Sequence, residues 1–353
     1  MSQINDSWVN IYKEFGEKLL LFKDDRASLI SKIKKVFENV NIKLPKLEYN
    51  NAIIDIDPFT IFALFNKAIK EENRKAILQG IKEEFNLNSD VPSGFDALPT
   101  LMPLNATFYW FEGDRDKDDI QNLWDLFISA HNLADEENEK NKQEFCASFD
   151  KTKDQKGISW RITTGLFWIF PYRFFSMDSR NRWFVGEYNE VFSDELKNTI
   201  KYLSDVPSGD KYLEICEKIK DEFNNTPYAS FVELSSTAFV ESEKVNKENK
   251  EKNKNETIET EDSGPRYWLY SPGENASHWD TCTREGVMLL GWGSLGDLKN
   301  YEDKNSIKEK MKELYDPNKS YKNDAHATWQ FSREIKPGDI IIAKKGMLKV
   351  IGR

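Results

Sequence analysis

Apolar residues recur at helical spacing through most of the first 240 positions. In the segment from Ser7 to Phe37, the side chains Trp8, Ile11, Tyr12, Phe15, Leu19 and Phe22 step by three and four, the stripe of a helix packed on a core. Asp57 followed by Pro58 predicts an N-cap and a first-turn proline for a helix through Ile69, and a second helix runs through Phe85 into the turn-rich VPSGFDALP. The aromatic run from Asn105 to Phe111 reads as a strand or the start of a helix. Helical spacing resumes from Asp118 to Leu133 with Trp124 and Phe127, an aromatic block spans Trp160 to Phe184, and Leu213 to Phe223 reads as a helix. The pattern therefore predicts a mainly helical region over 1–240, with two subdomains meeting near residue 100 as one arrangement it allows.

From Glu241 to Ser263 the chain reads ESEKVNKENKEKNKNETIETEDS, almost without bulky apolar residues. Such a stretch buries too little surface to offset the entropy of ordering it, so 241–264 is expected to be a flexible, disordered charged linker, with a solvated single helix as the alternative.

Beyond it the pattern shortens. Tyr267 to Tyr270 reads as a strand, Glu274 to Glu285 as a helix stopped by Gly286, and Val287 to Trp292 as a second strand before a glycine-rich turn. Ser306 and Glu309 suggest a capping box for a helix with Ile307, Met311, Leu314 and Tyr315 on its inner face, and Asp324 to Glu334 a further helix carrying Trp329. Gly338 and Asp339 lead into the strand IIIA, Lys344-Lys345-Gly346 turn it, and Met347 to Ile351 begin the return. The fold class expected is α+β: a helical N-terminal region, the linker, and a small barrel-like domain over 265–353. Because the last residues still read as a strand in progress, that domain is expected to be incomplete and the chain a fragment of a longer protein.

Charge sharpens the division. The chain carries 50 Lys+Arg against 60 Asp+Glu, a net of -10, which argues against coating nucleic acid along its whole length. Residues 265–353 hold 15 basic against 12 acidic side chains, a net of +3, so only this part is permissive for phosphate. Cys146, Cys216 and Cys282 lie far apart with no C-x-x-C pair, which supports neither a disulfide framework nor a zinc ribbon and suits a reducing cytoplasm. No leader or membrane-spanning segment is expected, since the first residues lack a basic stretch followed by an apolar run and the apolar stretch at Leu166 to Phe170 is cut by Pro171.

Four of the ten tryptophans, Trp268, Trp279, Trp292 and Trp329, fall in the C-terminal segment. Flat aromatic walls around a pocket are how proteins hold an extruded base, although bulky core packing explains any one of them equally well. Other signals carry less. Gly291-Trp-Gly293-Ser-Leu-Gly296 fits G-x-G-x-x-G but opens no helix, so a turn explains it. Asp114, Asp116, Asp118 and Asp125 lack the glycine and glutamate of an EF-hand loop and read as acidic residues at a helix start. His131, His278 and His326 sit at no metal-ligand spacing, and Cys282 with His278 one turn earlier is a poor thiolate site. Asp55 and Asp57 read as turn and cap, and Arg173, Arg180 and Arg182 as structural pairs or backbone contacts. No catalytic or metal site is expected.

The run YWLYSPGENASHWDTCTREGVMLLGWGSLGDL, with FSREIKPGDIIIAKKGMLKVIGR after it, resembles the EVE-like domain, a PUA-superfamily relative of YTH domains found beside the motor of McrB-type restriction subunits. NDSWVNIYKEF, IDIDPFTIFALFNKAI, LNATFYWFEGDR and FWIFPYRFFSMDSRNRWFV look like the helical N-terminal region of firmicute-type proteins in the same group. The resemblance implies the DNA-recognition arm of a type IV, modification-dependent restriction system acting in antiviral defence. Its AAA+ motor, using GTP and magnesium, would supply self-association and recruit the nuclease subunit. G-x-x-x-x-G-K-[ST] is absent, so the motor is expected downstream and these residues are expected to need no cofactor and catalyse nothing. By the same resemblance, Trp292 with Trp268 or Trp329 would form the base-binding walls, Ser271 and Asn275 would read the base edge, and Lys344 and Lys345 would meet phosphate. Two rival readings stay open: a protein-interaction or assembly module without base reading, and a nuclease hidden in the helical region.

Overall fold

Trp8, Ile11, Tyr12, Phe15 and Leu19, the stripe read in the sequence, all lie on the buried side of α1 (Trp8–Leu19). The computed structural model describes residues 4–49, 52–102, 107–259, 265–317, 319–346 and 349–353, which fall into two units, 1–251 and 252–353. The chain is mainly helical with one small sheet near its C-terminus, an α+β organisation.

The first unit continues with α2 (Arg26–Asn39), α3 (Pro58–Ala63), α4 (Glu71–Phe85), α5 (Asp119–Asp135), α6 (Glu139–Lys153), α7 (Arg161–Ile169), α8 (Ser179–Trp183), α9 (Asp194–Lys201) and α10 (Gly209–Glu222), and with α11 (Phe231–Glu259) as far as residue 251. Short polar side chains start many of them: Asp25, Asn138, Ser193 and Ser208 each accept a first-turn backbone N–H. Asp57 caps α3 as its sequence predicts, with Pro58 in the first turn, but the helix closes at Ala63, well short of Ile69. The groups beyond it are taken by other partners, as Leu101 N–H donates to the Asn66 carbonyl and Ala68 N–H to the Leu101 carbonyl.

One continuous core fills this unit, built from both sides of residue 100. Phe59 packs on Phe108 and edge-on to Phe127, and Trp8 meets Phe167. No strand forms over 107–111; residues 105 and 106 of that expected element lie outside the described residues.

The expected disordered linker is corrected over 241–259, where α11 carries straight on from its buried start at Phe231, Val232, Leu234 and Ala238. Glu and Lys are strong helix formers, and a helix already nucleated against a core extends through them without needing burial of its own. Residues 260–264 of that segment lie outside the described residues.

The second unit holds β1 (Tyr267–Tyr270), α12 (Trp279–Glu285), α13 (Lys304–Leu314), α14 (Lys322–Trp329), β2 (Ile340–Lys345) and β3 (Lys349–Gly352). Its sheet has the order β1-β2-β3, with Trp268 opposite Ile341 in a parallel pair, and β2 and β3 antiparallel. Gly286 ends α12 at φ +65°, as expected from the sequence. Three expectations are corrected. Val287 to Trp292 forms no strand, because Leu289 gives its backbone groups to a tyrosine hydroxyl. Asp303, not Ser306, caps α13, and Ser306 is the reciprocal partner of its capping box. Lys344 and Lys345 lie within β2 rather than on the turn, and residues 347 and 348 of the expected return strand are outside the described residues. Among the described residues, no helix is long and apolar enough to cross a membrane.

Candidate functional site

Alternation along β1 decides which side of the sheet meets the rest of the second unit. Tyr267 and Leu269 project to one face and are largely exposed, whereas Trp268 and Tyr270 project to the other. On that second face lies a cleft of about 630 Å3 whose lining includes Trp268, Tyr270, Ser271, His278, Leu289 and Phe331. This volume is in the range of small-molecule sites.

Trp268 is held by its edge. Its Nε1 donates to Asp339 Oδ2 at 2.7 Å, and the Arg266 guanidinium stands 4.9 Å from the ring centroid while pairing with the same carboxylate at 3.3 Å. Asp339 also accepts the Lys336 and Arg266 backbone N–H groups. These donors, the Lys336 N–H foremost, hold its carboxyl below the usual range and keep it ionised. The indole is thus fixed in orientation before any ligand arrives.

The loop after β1 positions Ser271 and His278. Gly273 has φ +80°, and a Cβ there would stand 2.6 Å from both Ser277 Oγ and His278 Cδ2, so only glycine lets the loop fold this tightly. His278 N–H donates to the Pro272 carbonyl at 2.9 Å, closing the turn. Asn275, expected beside Ser271 on a base edge, is instead an exposed residue at φ +51° and is not part of the cleft lining.

The expected facing walls do not form. Trp292 lies outside the cleft lining, edge-on to Tyr315 (centroids 5.1 Å, 72°) and Tyr321 (5.9 Å, 86°), against a cluster of Leu295, Ile307, Met311 and Ala325. Trp329 packs on the same cluster with Arg333 over its ring at 5.6 Å. Trp279 lies against β3, where a Cβ on Gly352 would come within 2.4 Å of its ring. Lys344 and Lys345 are adjacent on β2, next to an irregularity in its pairing with β3 between Ala343 and Lys344, and neither is part of the cleft lining. Of the sequence-derived candidates, only Trp268 and Ser271 line the cleft, while Trp292 and Trp329 share one apolar cluster. Tyr270, His278 and Phe331 were missed; the period-2 pattern of β1 could have found Tyr270, which shares a face with Trp268.

In the first unit the weighed arginines go to separate partners. Arg173 pairs with Glu137 and Glu217, Arg180 with Glu243 at 2.8 Å, and Arg182 lies 3.8 Å over the Trp160 ring. Asp55 pairs with Arg26 at 2.9 Å, and Asp114 accepts the Tyr49 hydroxyl. Among the described residues no group of three or more His, Cys, Asp or Glu side chains is placed to hold a metal ion.

These features define a two-unit α+β protein with a tryptophan-walled cleft beside its small sheet. Residues 8–241 match the family model described as Domain of unknown function (DUF8425), and the chain belongs to that family. Residues 268–352 match a second model, Domain of unknown function (DUF8426). No curated protein and no solved structure matches the chain.

Proposed function

We propose that the chain is the DNA-recognition arm of a McrB-like, modification-dependent restriction system, and that its second unit, an EVE-like domain of PUA type, takes a flipped modified base into the cleft beside β1. The observation that carries this reading is Trp268, an indole locked by Asp339 and Arg266 at the wall of a cavity of about 630 Å3, with Ser271 and His278 as polar groups beside it. Rotating a base out of a duplex costs roughly a few kcal/mol, and stacking on one aromatic side chain returns roughly 1 to 3 kcal/mol. Trp268 supplies that wall, and Tyr270, His278 and Phe331 are the further rings of the lining. GTP hydrolysis with magnesium, self-association and nuclease recruitment belong in this reading to a motor that these 353 residues do not contain, and the complex acts in the cytoplasm.

A second reading draws on a different observation. Trp292 and Trp329 are spent on packing, which favours an assembly module of a defence complex whose cleft reads no base.

Binding of the full chain to duplexes that differ at a single base, unmodified, 5-methylcytosine or N6-methyladenine, separates the two, measured at several salt concentrations. The base-reading proposal expects one modified duplex to bind more tightly at every salt, with the preference lost in Trp268→Ala. Equal affinity for all duplexes overturns it, because phosphate contacts alone are blind to the base.

A further inference from the structure

Two exposed aromatic side chains of the first unit, Tyr49 and Trp110, line one groove. Three loops far apart in sequence meet there: the one carrying Tyr49 ahead of α3, the segment 107–114 ahead of α5, and the segment 154–160 ahead of α7. Between them is a groove of about 620 Å3 lined by Tyr49, Trp110, Phe111 and Trp160, with Arg161 and Asp114 as its charged members. Tyr49 is 56% exposed and Trp110 48% exposed.

The rings are held, not left loose. Phe111 stands edge-on to Tyr49 with centroids 5.0 Å apart, and the Tyr49 hydroxyl donates to Asp114 Oδ2. The Arg182 guanidinium lies 3.8 Å over Trp160. Trp110 rests on the backbone of Gly157, where a Cβ would come within 2.3 Å of its Nε1. Gly157 has φ +78° and Ser159 has φ +47°, so the loop beneath Trp110 adopts left-handed backbone twice within three residues. A non-glycine residue held there costs about 1 to 3 kcal/mol, and such strain persists only where surrounding structure enforces it.

Polar groups of both signs face this aromatic surface. Arg161 lies 5.3 Å over the Phe108 ring, and burial lowers its guanidinium pKa to about 10, against the pull of Asp57. Tyr109, which also lines the groove, is 1% exposed and its hydroxyl has no hydrogen-bond partner among the described residues. A buried hydroxyl without a partner costs stability that a ligand able to bond it would return.

We propose that this groove is a second binding site and that its ligand is a nucleobase, carried by a free nucleotide or by a single strand. Trp110 and Phe111 offer the stacking surfaces, Arg161 donates to a ring acceptor, and Asp114 accepts from an amino or imino group. A purely cationic guest such as a methylated ammonium is disfavoured by the guanidinium of Arg161. Nucleobases combine a flat face with donors and acceptors on one edge.

The test is calorimetric titration of the full chain with the four ribonucleoside monophosphates and, separately, with short single-stranded oligonucleotides. Binding is expected in at least one arm: a mononucleotide response identifies a free nucleotide as a sufficient source, and a response to oligonucleotides alone identifies the strand. Trp110→Ala, at a half-exposed position, is expected to fold and to weaken that binding about tenfold or more. Phe111→Ala is a second variant should Trp110→Ala disturb the loop, and Trp268→Ala reports any share of the binding that belongs to the cleft of the second unit. No binding in either arm overturns the proposal, as does binding that is indifferent to both Trp110→Ala and Phe111→Ala or that disappears only in Trp268→Ala. The base-reading proposal for the second unit depends on Trp268 and stands or falls separately.

Discussion

The Tyr270 hydroxyl holds both backbone groups of Leu289, accepting its N–H at 2.8 Å and donating to its carbonyl at 2.9 Å. One side chain thereby does for the segment 287–291 what a neighbouring strand does in a sheet. Tyr270 and Leu289 both line the cleft, so this pair fixes the width of the site as well as the path of the chain.

Tyr270→Phe is expected to cost the second unit about 1 to 2 kcal/mol, the loss of two hydrogen bonds at a site that water partly reaches. It should also raise hydrogen exchange at the Leu289 amide, with slower exchange retained at the β1-β2 pairs. Unchanged exchange at Leu289 would show that another partner holds the segment.

The limits of the sequence are visible in the same place. Val287-Met-Leu-Leu290 has the composition of a strand, and nothing in its periodicity says that a tyrosine seventeen residues before its first member will claim its backbone. Local signals that need no tertiary partner were legible: the α1 stripe, the Asp57 cap with Pro58, the Gly286 stop, β1, and β2 as a strand. The charged segment after Glu241 was misjudged because its composition speaks to burial, whereas a helix begun at Phe231 continues on propensity alone. Clustering of tryptophans pointed to Trp268 and equally to Trp292, since sequence cannot tell a ring that faces a cleft from one that fills a core. The groove of Tyr49, Trp110 and Trp160 was illegible for a related reason: three loops carry it, and only the packed helices beneath bring them together.

Two buried groups in the first unit give opposite responses to acid. Asp57 is fully buried, accepts the Thr60 N–H at 2.9 Å and its hydroxyl besides, and burial raises its pKa from 3.8 to about 6. The folded state therefore binds this proton more readily than the unfolded chain. Its contribution is most favourable below 3.8 and is lost as pH rises through 6, a change of about 3 kcal/mol. Asp57→Asn keeps a capping oxygen and removes the titration. Urea unfolding of the variant, compared with the parent at pH 4, 5, 6 and 7, should show its relative stability rising with pH; a constant difference would place the Asp57 pKa at its ordinary value.

His131 works the other way. It is buried with its ring edge-on to Phe127 at 4.6 Å and Phe170 at 4.7 Å, and its Nε2 has no hydrogen-bond partner among the described residues. Burial, with a smaller effect of Lys13, lowers its pKa from 6.5 to about 4. The neutral ring's stability is fully present above 6.5 and lost as pH falls through 4, again about 3 kcal/mol. His131→Leu should leave the urea midpoint near pH 7.5 little changed and remove this part of the loss on acidification to pH 4. An acid limb as steep in the variant as in the parent would assign the loss to other groups.

Gly157→Ala tests the floor of the aromatic groove. The added methyl meets the Trp110 indole at 2.3 Å and must adopt φ +78°, so the loop has to move or strain. About 1 to 3 kcal/mol of stability should be lost, together with a shift in the tryptophan emission that is absent when the substitution is made on a Trp110→Phe background. Equal spectra with and without Trp110 would mean that the indole does not rest on this loop.

The last prediction separates packing from recognition in the second unit. Trp292 belongs to a small cluster with Leu295, Ile307 and Met311, and a domain of this size has few other buried apolar side chains to share the loss. Trp292→Ala should therefore cost about 3 kcal/mol, whereas Trp292→Phe, which keeps a ring against Tyr315 and Tyr321, should cost less. Trp268 presents the reverse case. Its ring lines the cleft and its Nε1 bond to Asp339 sets its orientation, so Trp268→Phe should cost only about 1 kcal/mol in stability while lowering affinity for the preferred modified duplex. With thermal unfolding and duplex binding measured on the same two phenylalanine variants, stability should follow Trp292 and base preference should follow Trp268. A Trp292→Phe variant that loses base preference as fully as Trp268→Phe would mean that the indole assigned to packing reaches the ligand.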